Sequence, residues 1–306
     1  MKTDVLITGA TGLLGRYLIA SCPEDFQIIA SSSTDKKNQL VGPPKVVDYL
    51  VSDIRDIHNH LESISPNIII HCASIGSVDY AEKEPEETYK VNVEPVRKMV
   101  DYCKNTNTKF IFISSNAVYD GDSGPYAEHH AVYSPVNKYG QFKREAEIIT
   151  KELEHNQMII RPILMYGWNA PGQRKNPLTI QVEDIEKGRQ TVVVDDKYCN
   201  PLFAGDCASV IWKAIQMNKW GEEYNVAGIE GSISRYEFAK MIALVFDAPE
   251  NSVIPVKSSH FNEIAPRPNN TTFNITKIIK ELKYRPNSIY ATLETLKENR
   301  KLIGGW

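Results

Sequence analysis

A chain of 306 residues is long enough to bury one large core or two joined ones. Its 42% hydrophobic and 24% charged residues are those of a soluble globular protein, which argues against a disordered or fibrous chain. A net charge of −3 gives no reason to expect nucleic acid or an anionic membrane as a partner.

Asp4–Thr8 is a short apolar run suited to a buried parallel strand. Gly9-Ala10-Thr11-Gly12-Leu13-Leu14-Gly15 follows it, and Arg16–Ser21 reads as a helix. Strand, glycine turn and helix in that order form the phosphate corner of a dinucleotide-binding fold. The glycines let backbone approach a pyrophosphate, and the helix start offers unpaired N–H groups. A glycine triplet alone is an ordinary tight turn, and its place directly after an N-terminal strand is what raises the binding reading. The G-x-x-G-x-x-G spacing resembles that of the short-chain dehydrogenase/reductase superfamily.

Phe26–Ala30 reads as the second strand. An acidic residue near its end would hold the ribose hydroxyls of NAD. The segment here is Ser31-Ser32-Ser33-Thr34-Asp35-Lys36-Lys37, whose hydroxyls and lysines suit the 2′-phosphate of NADP, or simply an exposed loop. NADP(H) is therefore the expected cofactor, with NAD(H) still open. Val46–Leu50 is a third strand, followed by Asp53 and Ile54. Asn67–Cys72 is a fourth, ending at Ala73 and Ser74. Glu86–Lys104 reads as one long helix carrying Asn92, a residue suited to bracing the site or to relaying protons.

Lys109–Ile113 is a fifth strand that ends in Ser114 and Ser115. Ligands of such sheets bind beyond the carboxyl ends of the strands, so Ser115 arrives at the ligand edge. Tyr139 follows 24 residues later, with Lys143 one helical turn on. Ser134 and Pro135 read as the cap and first turn of that helix. A tyrosine beside a permanent cation is expected to have a lowered pKa and to move protons near neutrality. A second Y-x-x-x-K, Tyr236/Lys240, has the same spacing. Counting 24 residues back from it reaches Trp212, inside a predicted helix, so it lacks a strand-end serine and reads as packing.

Gln157–Ile163 is a sixth strand carrying Arg161 and Pro162. Gly167–Asn176, rich in glycine, proline and polar residues, reads as an active-site loop. Glu223–Ala227 can return to the main sheet. The expected architecture is α/β, a Rossmann-type doubly wound parallel sheet with a small C-terminal α/β substrate domain. Residues 1–164 with about 201–229 form the first domain, and about 165–200 with 230–306 the second. The cysteines Cys22, Cys72, Cys103, Cys199 and Cys207 are odd in number and form no C-x-x-C. Reduced thiols in a cytoplasmic protein are expected, with no signal peptide, membrane helix or metal site. The composition leaves a homodimer open.

Along its whole length the chain resembles an extended short-chain dehydrogenase/reductase, most like the dTDP-4-dehydrorhamnose reductase family. The pieces are G-A-T-G-L-L-G-R at 9–16, S-V-D-Y-A-E-K-E-P-E-E-T-Y-K-V-N at 77–92, and F-I-S-S-N-A-V-Y-D-G at 112–121. G-P-Y-A-E at 124–128, P-V-N-K-Y-G at 135–140 and R-P-N-N-T at 267–271 continue it. The resemblance implies a dinucleotide held by Gly9, Thr11, Gly12, Leu13, Leu14 and Gly15. It adds Ser31 and Ser32, and Asp53 and Ile54 near adenine; Cys72, Ala73, Ser74, Asn92, Tyr139, Lys143 and Pro162 complete that set. It implies catalysis by Ser115, Tyr139 and Lys143, and a nucleotide-linked 4-keto-6-deoxy sugar held by Ser115, Asn116, Tyr139, Asn176 and Arg267. Arg267 reads equally as a structural ion pair. Asn116 stands where the family usually has aspartate. A 4,6-dehydratase needs an acid–base pair at 116 and 117, and Asn116 and Ala117 cannot move protons. An epimerase shares the triad, and the non-catalytic β-subunit of methionine adenosyltransferase shares the motifs.

Overall fold

The structure, a computed structural model, describes residues 2–40, 46–129 and 132–300. Its apolar runs form β1 (Thr3–Thr8), β2 (Phe26–Ser32), β3 (Val46–Val51), β4 (Ile68–His71), β5 (Lys109–Ile113) and β6 (Gln157–Pro162). Glu222–Val226 returns to pair in parallel with β6, completing a seven-stranded sheet. The order is Glu222–Val226, β6, β5, β4, β1, β2, β3, and every pairing is parallel.

Alternation along each strand feeds two cores. Val5 and Ile7 point to one face, with the helices Leu13–Ala20 and Ala204–Gln216. Leu6, Phe110 and Phe112 point to the other, with Glu94–Thr106 and Lys138–Lys151. Burial on both faces explains why the strands read as continuous apolar runs. The chain winds outward from β1 through β2 to β3, then restarts at β4 on β1's other side. That reversal opens a crevice at the carboxyl ends of β1 and β4, where ligands of such sheets bind.

A third apolar cluster lies outside the sheet. Tyr166, Trp168, Leu178, Val182, Phe238, Ile242 and Leu293 make a core between the helices Pro177–Glu186, Arg235–Val245 and Ile289–Glu298. The sequence assigned everything after 230 to this second unit. Yet Phe273, Ile278 and Leu282 pack into the first core, so the helix Thr276–Leu282 backs the sheet. Residues 301–306 of that span lie outside the described residues.

Two expected helices have different limits. The long helix over 86–104 is two, Pro85–Asn92 and Glu94–Thr106, broken at Val93 before Pro95, which lacks the N–H a continuous helix needs. The helix that carries Tyr139 and Lys143 starts at Lys138, not at Pro135. Its cap is Asn137, whose Oδ1 accepts from the Gly140 amide at 2.9 Å, an interaction Ser134 is too early to make.

Candidate active site

The phosphate corner is built on close contact. Gly9 has φ +65°, and a Cβ there would lie 2.8 Å from the Ala73 nitrogen. A Cβ on Gly15 would fall 2.5 Å from the Gly9 carbonyl oxygen. Helix and strand can approach this closely only without side chains at these positions. The helix Leu13–Ala20 begins at Gly12 with no side-chain cap, so its first N–H groups face the crevice as anion donors. This corner fits a dinucleotide pyrophosphate.

The wall opposite is the segment after β4. Thr8 Oγ1 hydrogen-bonds His71 Nδ1 at 2.8 Å and accepts from the Ala73 amide at 3.3 Å, which ties Cys72–Ser74 to the end of β1. Asn92 lies buried behind this segment. Its Oδ1 accepts from the Ile75 amide at 2.8 Å and from Ser74 Oγ at 3.3 Å, and its Nδ2 donates to the Ile75 carbonyl at 3.0 Å. Of the two roles open in the sequence, this geometry is that of a brace.

The far end of the cleft is less open than the sequence implied. Ser32 Oγ donates to the Thr34 carbonyl at 2.6 Å and pairs with the Tyr49 hydroxyl at 2.5 Å, so it shapes the loop before Lys36 and Lys37. Ser31 is buried within β2. Asp53 caps the turn that includes Ile54, and its carboxylate takes three hydrogen bonds from Arg55. The Arg55 guanidinium holds that carboxyl below its ordinary range.

Ser115, Tyr139 and Lys143 meet at the carboxyl edge of β5. Ser115 is N-terminal to a single turn, and its Oγ accepts from the Ala117 amide at 3.2 Å. Tyr139 opens the next helix, and the Ser115 hydroxyl lies close enough to lower its pKa. The helix reaches this close through Gly140, where a Cβ would sit 2.1 Å from the Ala117 carbonyl oxygen. Lys143 is buried, donates from Nζ to the Ile113 carbonyl at 2.8 Å, and lies 4.9 Å from the centre of the Phe112 ring.

The electrostatics reverse one expectation. Burial raises the Tyr139 pKa above its ordinary value, although the nearby Ser115 hydroxyl and the charge of Arg174 pull it down. Lys143 Nζ stands 5.9 Å from the Tyr139 ring centre and gives its hydrogen bond to a carbonyl, so desolvation wins over attraction to the cation. Burial in turn lowers Lys143 to about 8.

The expected substrate contacts divide. Asn116 Oδ1 accepts from Ser115 Oγ at 3.2 Å, and its Nδ2 donates to Thr271 Oγ1 at 2.8 Å, linking the triad to the second unit. Asn176 is committed elsewhere: it caps the helix Pro177–Glu186, donates to the Gly167 carbonyl at 2.8 Å and bonds Asn169, so its amide serves the loop. Arg267 pairs with Asp79 at 2.7 Å and with Glu263 at 3.1 Å, which is the structural ion pair the sequence left open. Pro162 ends β6 beside Val226. Gly140 and Thr271 were not singled out in the sequence. Behind the triad, buried Glu147 accepts from Ser114 Oγ at 2.6 Å, Arg161 Nε at 2.6 Å and Arg144 at 2.9 Å. This cluster is also invisible to spacing rules, because its members lie on two strands and a helix.

Among the described residues there is no His, Cys, Asp or Glu group suited to a metal, and no helix is long and apolar enough to cross a membrane. The described cysteines are free.

The chain is similar to a dTDP-4-dehydrorhamnose reductase of Aggregatibacter actinomycetemcomitans, 27% identical, over 96% of this chain and 98% of that protein. It is 26% identical to methionine adenosyltransferase 2 subunit beta of Mus musculus, over 90% of this chain and 81% of that one. Among solved structures, dTDP-4-dehydrorhamnose reductase of Bacillus anthracis in complex with NADP superposes with a TM-score of 0.84 at 30% identity, covering 98% of this chain and all of that one. The family model described as the RmlD substrate binding domain matches residues 1–300. The chain belongs to the RmlD family of extended short-chain dehydrogenases/reductases.

Proposed function

We propose that the protein reduces the 4-keto group of a nucleotide-linked 4-keto-6-deoxy sugar, with NADPH as reductant. The observation that carries this reading is the meeting of Ser115, Tyr139 and Lys143 at one sheet edge beside the uncapped glycine corner. The reductases of similar sequence and structure supply the substrate class.

Gly9, Gly12 and Gly15 make room for the pyrophosphate, and Cys72–Ser74 braced by Asn92 form the opposite wall. When bound, the dinucleotide supplies the hydride that reduces the ketone. Tyr139 is a neutral phenol at pH 7, as an ordinary tyrosine is, and burial raises its pKa further. It therefore holds the proton that the far more basic alkoxide oxygen takes up. Ser115 donates a hydrogen bond to the same oxygen, and that bond strengthens as charge develops. Lys143, with a pKa of about 8, is mostly an ammonium at neutrality and keeps positive charge beside the reacting centre. The Ser115 hydroxyl, which points to Asn116 Oδ1, turns to the ketone oxygen to donate there, and Asn116 adds no charge where an aspartate would place one beside the sugar.

A second reading, a regulatory subunit, is favoured by the 26% identity to the subunit beta of a methionine adenosyltransferase. A panel of nucleotide-linked 4-keto-6-deoxyhexoses, mixed with NADPH, separates the readings. The reductase consumes one NADPH for each alcohol formed. Binding of NADPH without net oxidation on any member of the panel would reject reduction in favour of epimerisation or regulation.

A further inference from the structure

The loop between β6 and the helix Pro177–Glu186 lies across the crevice. At one end, a Cβ on Gly167 would be 2.9 Å from the Tyr17 hydroxyl, and the Trp168 amide donates to that hydroxyl at 3.1 Å. Tyr17 stands on the helix that begins at the glycine corner. In the middle, the Pro171 carbonyl accepts from Gln39 Nε2 at 3.4 Å, beyond the Lys36–Lys37 loop. The chain turns at Gly172, where φ is +74°. At the other end, Arg174 reaches the wall after β4: a Cβ on Gly76 would be 3.4 Å from its Nη1, and its charge acts on Tyr139. The segment thus spans the cleft from the adenosine side to the proton donor.

Arg174 differs from the other cations of this region. Lys175 pairs with Glu183, and Arg267 is neutralised by Asp79 and Glu263. Arg174 is exposed, and its guanidinium has no carboxylate partner among the described residues. Asn169 holds the Arg174 carbonyl from within the loop, and Asn176 holds Asn169, so the base of the side chain is fixed. A planar fork of donors on a fixed base is suited to two phosphate oxygens at once.

We propose that Trp168–Arg174 is a strap over the crevice and that Arg174 is its diphosphate clamp. The inference rests on the sugar-nucleotide reading for one of two diphosphates that can reach this place. One belongs to the dinucleotide and the other to the sugar nucleotide. Arg174, and not Arg267, supplies the unneutralised guanidinium.

The test is calorimetric titration of dTDP, UDP and NADPH into wild type, Arg174→Gln and Arg174→Lys, with a thermal melt of each. An exposed side chain with no ion pair predicts unchanged melting temperatures. Arg174→Gln should weaken the diphosphate it serves by about tenfold or more, as expected for a charge-assisted contact, and Arg174→Lys should recover part of the loss. A loss for dTDP or UDP with NADPH unchanged places the clamp on the sugar nucleotide. A loss for NADPH alone places it on the cofactor. If wild type binds NADPH but neither dTDP nor UDP, the sugar-nucleotide reading falls, and the clamp is judged on NADPH alone. Wild-type affinity of Arg174→Gln for every ligand that wild type binds would overturn the proposal.

Discussion

Tyr139/Lys143 and Tyr236/Lys240 are the same local structure in two places. Each opens a helix behind a capping side chain, Asn137 in one and Ser234 in the other. Each lysine nitrogen lies almost equally far from its tyrosine ring centre, 5.9 Å and 5.8 Å. The surroundings differ in every respect. Lys143 is buried and donates to the Ile113 carbonyl, whereas Lys240 is exposed. Tyr139 meets Ser115 across the close approach at Gly140; Tyr236 packs beside Ala239, Ala243 and Val253. Helical spacing sets the distance within a pair, and the sheet edge decides whether that pair can carry chemistry.

Four substitutions sharpen the contrast, beginning with the largest effect. Lys143→Met should lower kcat by about a hundredfold or more and weaken NADPH binding with it, since charge near the reacting oxygen is lost. Lys240→Met should leave both unchanged. Wild-type kcat/KM should fall as pH rises through about 8, where Lys143 gives up its proton. A pH–rate profile unaltered in Lys143→Met would refute that assignment.

Gly140→Ala tests the close approach. The added carbon meets the Ala117 oxygen at 2.1 Å and Pro135 Cβ at 2.8 Å, so the helix must move away from Ser115. Overpacking of this kind costs about 1–3 kcal/mol, seen as a lower melting temperature. The turnover of the folded variant should fall as well. Wild-type stability and rate in Gly140→Ala would show that the contact is not needed.

The smallest effect concerns His71, which stacks between Phe110 and Phe112 near Lys143. Burial, helped by that lysine, lowers its pKa to about 3. The unfolded chain then binds more protons than the folded one between about pH 6.5 and 3. Stability is therefore present above pH 6.5 and lost as pH falls, by about 1.4 kcal/mol per unit at most. His71→Asn should remove that slope from urea-unfolding free energies measured at pH 6 and 5. An equal slope in both proteins would contradict the assignment.

The sheet was legible because both of its faces are buried, which leaves continuous apolar runs at β1, β4 and β5. The glycine corner and the strand-end Ser115 were legible from their place relative to those runs. Side-chain partners were not. Glu263 stands four residues before Arg267, but nothing in the sequence reveals Asp79, which approaches from a distant segment. Asn176 has a polar loop around it in the sequence, but its role as a cap depends on where the helix Pro177–Glu186 starts. The lowered tyrosine pKa was expected from neighbouring charge alone; the burial that reverses it comes from tertiary packing.

The most direct test of the central claim is steady-state turnover of Tyr139→Phe beside Tyr236→Phe, on the nucleotide-linked keto sugar that wild type reduces, with NADPH affinity measured for both. Each substitution removes one hydroxyl and keeps the ring. Loss of a general acid should cut kcat of Tyr139→Phe by about 10²–10⁴-fold while NADPH still binds. Tyr236→Phe should stay within about threefold of wild type, since a tyrosine away from the site contributes packing alone. A fully active Tyr139→Phe, or a folded Tyr236→Phe without turnover, would contradict the account.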